Sequence, residues 1–451
     1  MPKPAEHMVL NAFLMSTGHH ESSWRLPESD PFAETDVEHY IKLAEIAERG
    51  KMDSVFFADS PGLWGTANSV ARRPPQTLEP TLLLSAMAVA TSRIGLIATA
   101  TTTYDEPFNT ARRFASLDKI SHGRAGWNVV TTASTEASAN FSYAEPPTHA
   151  ARYERAGEYL DVVLGLWDGW EADATLGDKA AGIHTDPEKV HRLDHVGEHF
   201  RVSGPLNVGR SEQGHPVIVQ AGSSVPGVAL AAAYAEAVFT AQRTLELGQS
   251  FYGQLKQATA AAGRNPAHIK ILPGIVPVIG STEAEAKANE RRLDELMVID
   301  HPLQQLAADI GIPADQIDLD APLPTDIRPV EEIQGNRARY ELVMEFARKE
   351  NLTVRELLWK LGGGRGHRTF TGTPEQVADD LQLWFENGAA DGFNIMAPSM
   401  PGGLALFVDH VIPILRQRGL FREEYAGATL REHYGLPVPV SGDRTRQPAL
   451  V

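Results

Sequence analysis

The chain has 451 residues, 42% hydrophobic and 22% charged, the balance of an ordinary soluble globular protein. Its formal net charge of −17 argues against nucleic acid as a partner, because nothing offsets phosphate repulsion. It has no cysteine, which excludes disulfides, thiolate metal sites and cysteine nucleophiles.

The N-terminal "MPKPAEHMVLNAF" has no sustained apolar core before the polar "STGHHESSWR", so it does not read as a signal peptide. No run of about 18 apolar residues offers a membrane span. A cytoplasmic protein with no membrane partner is expected. The first strand candidate is "VLNAF" (9–13), followed by a helix at 36–50 that opens on Asp36 and ends at Gly50. Strand "SVFFAD" (54–59) precedes helix 77–92, strand "IGLIATATT" (94–102) precedes helix 106–121, and strand "AGWNVVTT" (125–132) precedes helix 151–170. Then come strand "PVIVQAG" (216–222), helix 225–236, strand "AVFTA" (237–241), helix 244–263, strand 269–280 and helix 282–297. A helix at 373–388 has Thr at its N-cap and Pro at N1; strand "GFNIMAP" (392–398) and helix 402–419 close the series.

Eight near-continuously apolar strands alternating with helices predict an α/β fold, most simply a closed (β/α)8 TIM barrel. An open doubly wound sheet is the alternative. The expectation is one barrel domain over 1–420, with insertions at 60–76, 133–150, 172–215 and 298–372, and a C-terminal tail over 421–451. Long connections of this kind are usually lids or binding loops, and the tail is a natural place for lid or intersubunit contacts.

In a barrel, chemistry gathers at the C-terminal strand ends. Strand 2 ends on Asp59 and Ser60, strand 3 on Thr101, Thr102, Thr103 and Tyr104, and strand 4 on Thr131 and Thr132, with Asn128 farther in. Strand 5 ends on Gly222, Ser223 and Ser224 directly before a helix, where free N–H groups and hydroxyls suit a phosphate. Ser223 also reads as a plain N-cap. Hydroxyls at several rims together imply a polar, phosphate-bearing ligand. His149 and Tyr153, four apart, share one helical face. After strand 1 stand His19, His20, Trp24 and Arg25. Adjacent histidines in an extended segment point to opposite sides, and no third ligand has metal spacing, so no metal site is expected. A neutral His20 lining a pocket, as proton donor or hydrogen-bond partner, fits better. The Gly-rich "LGGGRGHRTFTG" (361–372) reads as a mobile loop bearing Arg365, His367 and Arg368. There is no nucleophile elbow, Walker motif or dinucleotide fingerprint, which points to a cofactor that performs the chemistry.

The stretch "SHGRAGWNVVTT" resembles the signature of flavin-dependent monooxygenases of the bacterial luciferase-like superfamily, in the branch of nitrilotriacetate and dibenzothiophene sulfone monooxygenases. The likeness continues through "VFFADS", "TATTTYDEPFNTARRFASLDKIS", "ARYERAGEY", "HVGEHFRVSGPLNVGRSEQGHPVIVQAGSS" and "TGTPEQVADDL", and so spans nearly the whole chain. It implies a TIM-barrel enzyme that takes reduced FMN from a separate NAD(P)H:flavin reductase, forms a flavin peroxide with O2, and oxygenates a small organic substrate. By motif, Asp59 is implied near the flavin ring or ribityl, Thr102 and Asn128 at the isoalloxazine, Thr131 and Thr132 on the same wall, and His149, Tyr153, Ser223 and Ser224 at the phosphate. The implied catalytic residue is His20, as a contact to substrate or oxidant. Relatives commonly form dimers or tetramers, so a homo-oligomer is implied.

Candidate substrate-pocket residues are Phe13, Phe56, Trp64, Phe239, Arg365 and His367, with Met15 and Phe57 beside them. The apolar members favour an apolar or aromatic organosulfur substrate, with sulfone C–S cleavage the leading case. Arg25, Arg365 and Arg368 keep an aminopolycarboxylate open, and an alkane is the third choice. Other classes on the same scaffold are an F420-dependent oxidoreductase, a non-catalytic flavin-binding subunit and a metal-dependent hydrolase.

Overall fold

In a computed structural model the described residues are 7–63, 70–329, 337–364 and 366–440. Eight parallel strands form a ring: β1 (Val9–Phe13), β2 (Ser54–Phe57), β3 (Gly95–Thr101), β4 (Ala125–Val130), β5 (Val217–Gln220), β6 (Ala237–Thr240), β7 (Lys270–Ile279) and β8 (Gly392–Ile395). They follow one another around the ring in chain order, and β8 closes on β1 from Val9↔Gly392 to Ala12↔Ile395. The fold is a (β/α)8 barrel, not an open sheet. Its strands are the eight read from the sequence; β1 has the bounds expected of it and the other seven are shorter by one to three residues.

The helices start where local chemistry lets them. Asp36 accepts the Glu38 N–H at 2.9 Å to begin Val37–Arg49. Thr373 and Gln376 form a reciprocal capping box around Pro374, fixing the start of Pro374–Glu386. Side chains alternate along the strands. Trp127, Phe114, Phe393 and Leu381 fill the layer between strands and helices, while Val9, Phe56, Ile97, Val217 and Leu272 fill the barrel.

The Gly-rich 361–372 segment is not the loop expected of it. Gly362–Gly364 form the last turn of helix Val354–Gly364, and Arg368–Gly372 is a strand. It pairs with β7 from Ile275↔Arg368 to Ile279↔Gly372. Its cause is β7 itself, ten residues long: the inner part serves β6 and β8, and the outer part leaves backbone groups that need a further partner. The 298–372 insertion carries helices Asp300–Ile310, Arg337–Lys349 and Val354–Gly364 around an apolar cluster of its own, including Leu306, Ile310, Val343 and Leu357. The 172–215 insertion holds two small antiparallel hairpins, and 133–150 holds helix Thr135–Asn140.

Residues 421–440 are likewise not a lid. Helix Leu430–His433 and its flanks plug the N-terminal end of the barrel. Leu430 seats in a notch that glycines make: a Cβ on Gly95 would lie 2.4 Å from Leu430 Cδ1, and one on Gly126 3.1 Å from Cδ2. Tyr434 donates to Asn11 Oδ1 at 2.9 Å, and fully buried Arg431 pairs with both oxygens of Glu236. No helix among the described residues is long and apolar enough to cross a membrane.

Candidate active site

The open, C-terminal end of the barrel has an aromatic floor. Phe13 of β1, Phe56 of β2 and Phe239 of β6 meet edge to face, with ring centroids 4.7, 5.5 and 5.7 Å apart. His367 lies flat on Phe239, at 4.9 Å and 2°. Gly274 of β7 makes room for that stack, since a Cβ there would fall 2.5 Å from His367 Nδ1 and 2.8 Å from Phe239. Burial pushes the His367 imidazole down to about 4, and the Arg243 charge nearby adds to the effect, so the ring is neutral. Its Nδ1 is buried and has no hydrogen-bond partner among the described residues. Phe57 is not part of the floor: strand alternation turns it outward against Tyr40, at 5.5 Å. Met15 is half-buried just beyond β1. Trp64 and Arg365 lie outside the described residues.

Polar groups stand on β3 and β4. Asn128 Nδ2 donates to Thr99 Oγ1 at 2.8 Å, and that hydroxyl donates to the Phe57 carbonyl at 2.7 Å. The Asn128 amide oxygen is buried and has no partner among the described residues. Trp127 points the other way, into the helix layer, with its indole N–H on the Ala100 carbonyl at 3.1 Å. The three threonines after β3 divide their tasks. Thr101 Oγ1 accepts the Thr103 N–H at 3.1 Å, Thr102 Oγ1 donates to the Val130 carbonyl at 3.3 Å, and the buried Thr103 hydroxyl has no partner among the described residues. Thr103, then, is the one with a hydroxyl to spare. Thr131 and Thr132 are half-buried at the end of β4. Asp59 lies just past β2; burial pushes its carboxyl up to about 6, and Glu79 and Asp105 add to this against Arg113 and the Ser60 N–H.

The third component forms at the start of helix Val225–Tyr234. Its N-cap is Ser224, which accepts the Gly227 N–H at 3.3 Å; Ser223, one residue earlier, is exposed. The Tyr153 hydroxyl reaches this turn, 3.4 Å from where a Cβ of Gly222 would stand and 3.2 Å from that of Gly227. His149 and Tyr153 sit ring to ring at 4.8 Å. The turn, the tyrosine and the histidine form one polar cradle.

His20 is apart from this wall and fully committed. It is 4% exposed; Nδ1 accepts the Ser22 N–H at 3.2 Å and Nε2 faces Asp294 Oδ1 at 3.2 Å. His19 turns away, its Nε2 on the Phe13 carbonyl at 2.8 Å. Arg25 is exposed and donates to the Leu296 carbonyl, and Trp24 donates to the Arg72 carbonyl at 3.0 Å. Arg368 Nη1 donates to both oxygens of Asp380 at 2.6 Å and the guanidinium lies over Trp384, while the buried Nη2 has no partner among the described residues. Among the described residues, the group whose ligand atoms approach within 4.8 Å of one another is exposed Glu154, Glu198 and His199. None of these lines the wall or the floor. Sequence reasoning named Thr103 at the end of strand 3 but carried Thr102 to the ring, and it missed Asp294 and Arg243. Arg243 lies three residues past β6, where the rule of reading strand ends finds it; Asp294 lies on a helix and carried no signal.

The luciferase-like monooxygenase family matches residues 12–391 of this chain. The chain is 48% identical to N-acetyl-S-(2-succino)cysteine monooxygenase of Bacillus subtilis, over 98% of this chain and 99% of that protein. It is 46% identical to nitrilotriacetate monooxygenase component A of Aminobacter aminovorans, over 96% and 97%. Among solved structures, EDTA monooxygenase from Chelativorans sp. BNC1 superposes with a TM-score of 0.79 at 37% identity, covering 96% of this chain and 99% of that one.

Proposed function

The chain belongs to the luciferase-like monooxygenase family, and from that premise we propose that it is the oxygenating half of a two-component system acting on a small organosulfur compound. Reduced FMN, delivered by a separate NAD(P)H:flavin reductase, supplies the electrons that activate O2. The carrying observation is the Asn128 amide oxygen, a buried acceptor at the barrel mouth with no partner among the described residues, since such groups are costly unless a ligand satisfies them. The residues fit a flavin mononucleotide. Asn128, Thr103 and the Thr131–Thr132 edge offer hydrogen bonds to a polar ring edge, with Thr102 behind them. Asp59 would face the ring or ribityl, and the Ser223–Ser224 turn with Tyr153 and His149 would hold the phosphate. The aromatic floor would exclude water and carry the apolar part of the substrate. The thioether in the name of the Bacillus subtilis relative favours sulfur as the oxygenated atom. The carboxylates in the names of all three relatives keep an aminopolycarboxylate as the second reading.

A panel of thioether acids, aromatic sulfones and aminopolycarboxylates, assayed with reduced FMN and O2, separates these. Turnover of a thioether acid or sulfone is expected. Asn128→Leu is expected to weaken FMN by about 10-fold while the chain stays folded, because one or two hydrogen bonds are lost. Unchanged FMN affinity would remove Asn128 from the site.

A further inference from the structure

We propose that Gln220 is a further residue of the phosphate end of the site, and that it makes the protein select FMN over riboflavin, the same flavin without the phosphate. This deepens the reading above and rests on its flavin. Gln220 is the last residue of β5. Val217 and Val219 fill the barrel, so strand alternation turns Gln220, like Ile218, to the helix side. It is 4% exposed, and its amide oxygen is buried with no partner among the described residues. The amide nitrogen lies against the turn that opens helix Val225–Tyr234. A Cβ on Gly222 would fall 2.4 Å from Gln220 Nε2 and 3.4 Å from the Tyr153 hydroxyl. Amide and phenol therefore converge on Gly222, where glycine leaves them room. The helix start is short of donors without them. Pro226 has no N–H, the Gly227 N–H is held by Ser224 Oγ at 3.3 Å, and the Val228 N–H by the Ser224 carbonyl at 2.8 Å. Of the four positions from Val225 to Val228, three thus have no N–H to give a phosphate. A carboxamide holds two donors and an acceptor at nearly the same place, and a half-turn about its last bond exchanges them. Gln220 supplies the missing N–H from a buried position, where a hydrogen bond to a charged group counts for most.

The test is equilibrium dialysis of the full chain against FMN and riboflavin, both reduced under anaerobic conditions, with the oxidised pair alongside. Wild-type protein is expected to bind FMN at least about 10-fold more tightly than riboflavin. Gln220→Leu removes the amide and is expected to weaken FMN by about 10-fold and riboflavin by less than about 2-fold. Gln220→Glu keeps the shape but exchanges the donors for a carboxyl group. At pH 8 it is expected to weaken FMN at least as much as Gln220→Leu does, and riboflavin again by less than about 2-fold. A loss of packing alone would weaken both flavins together and would spare Gln220→Glu. Equal losses for the two flavins, unchanged FMN affinity in either variant, or wild-type protein that binds both flavins alike would overturn the role of Gln220. Wild-type protein that binds neither flavin would overturn the flavin reading with it. Because binding is read without turnover, protein that selects FMN through Gln220 but oxygenates nothing would fail the monooxygenase reading alone.

Discussion

At Asp59 a half-buried carboxyl stands beside two other acids, with a single arginine and one backbone N–H to offset them. Its ionisation lies near 6 against an ordinary value of 3.8. A raised carboxyl favours the fold when protonated, so this stability is present below about 3.8 and is lost as pH rises through about 6. Asp59→Asn is therefore expected to stabilise the protein by about 2 kcal/mol at pH 8 and by nothing at pH 3, read by thermal unfolding. It should weaken FMN at the same time, the usual sign of a strained functional group. A variant less stable than wild type at pH 8 would show that the carboxylate is structural.

His20 calls for a different test. Both nitrogens are engaged, and we propose that His20 positions the segment after β1 against helix Glu283–Glu295. His20→Ala is expected to raise KM and lower Tm while leaving the pH profile of kcat in place. Loss of an ionisation from that profile would restore the direct role implied by resemblance. Residue by residue, what could be read from sequence was what strand position dictates: Asn128, Phe13 and Phe56 follow from alternation and from barrel ends. What could not be read was commitment. Nothing in "HHESSWR" reveals that His20 meets Asp294, 274 positions away.

Among the elements, β4 and the plug helix depend on each other. Gly126 is small because Leu430 occupies the space beside it, and Asn128 can stay polar because Thr99 and Phe57 anchor its amide. Arg431 is the electrostatic centre of the plug. Burial alone would push Glu236 up, but the Arg431 guanidinium outweighs it and holds the carboxyl down at about 2. The pair's contribution is thus present above about 4.5 and lost as pH falls through about 2. Arg431→Met, which strands a buried carboxylate, is expected to cost about 3–5 kcal/mol at pH 7, with the loss shrinking below pH 4.5, in urea unfolding. A loss under about 1 kcal/mol would mean that the plug is peripheral. The eight barrel strands were legible because burial on both faces makes them continuously apolar. The strand Arg368–Gly372 and the plug were not. "RTFTG" behind a glycine run shows no such stretch, and a four-residue helix gives periodicity nothing to detect.

Over the whole molecule, the barrel supplies a rigid mouth, the 298–372 insertion supplies cover, and the N-terminal end is closed by the chain's own last described residues. All the groups proposed to meet FMN or substrate lie at one end, on β1 to β7 and the segments that follow them. The central claim is oxygenation by reduced FMN and O2. It is tested most directly by feeding the protein reduced FMN under 18O2 with a thioether acid or sulfone, and weighing the product. One 18O atom per product is expected, with no product when either reduced FMN or O2 is withheld. Product formed without O2, or turnover with no 18O in the product, would contradict the account.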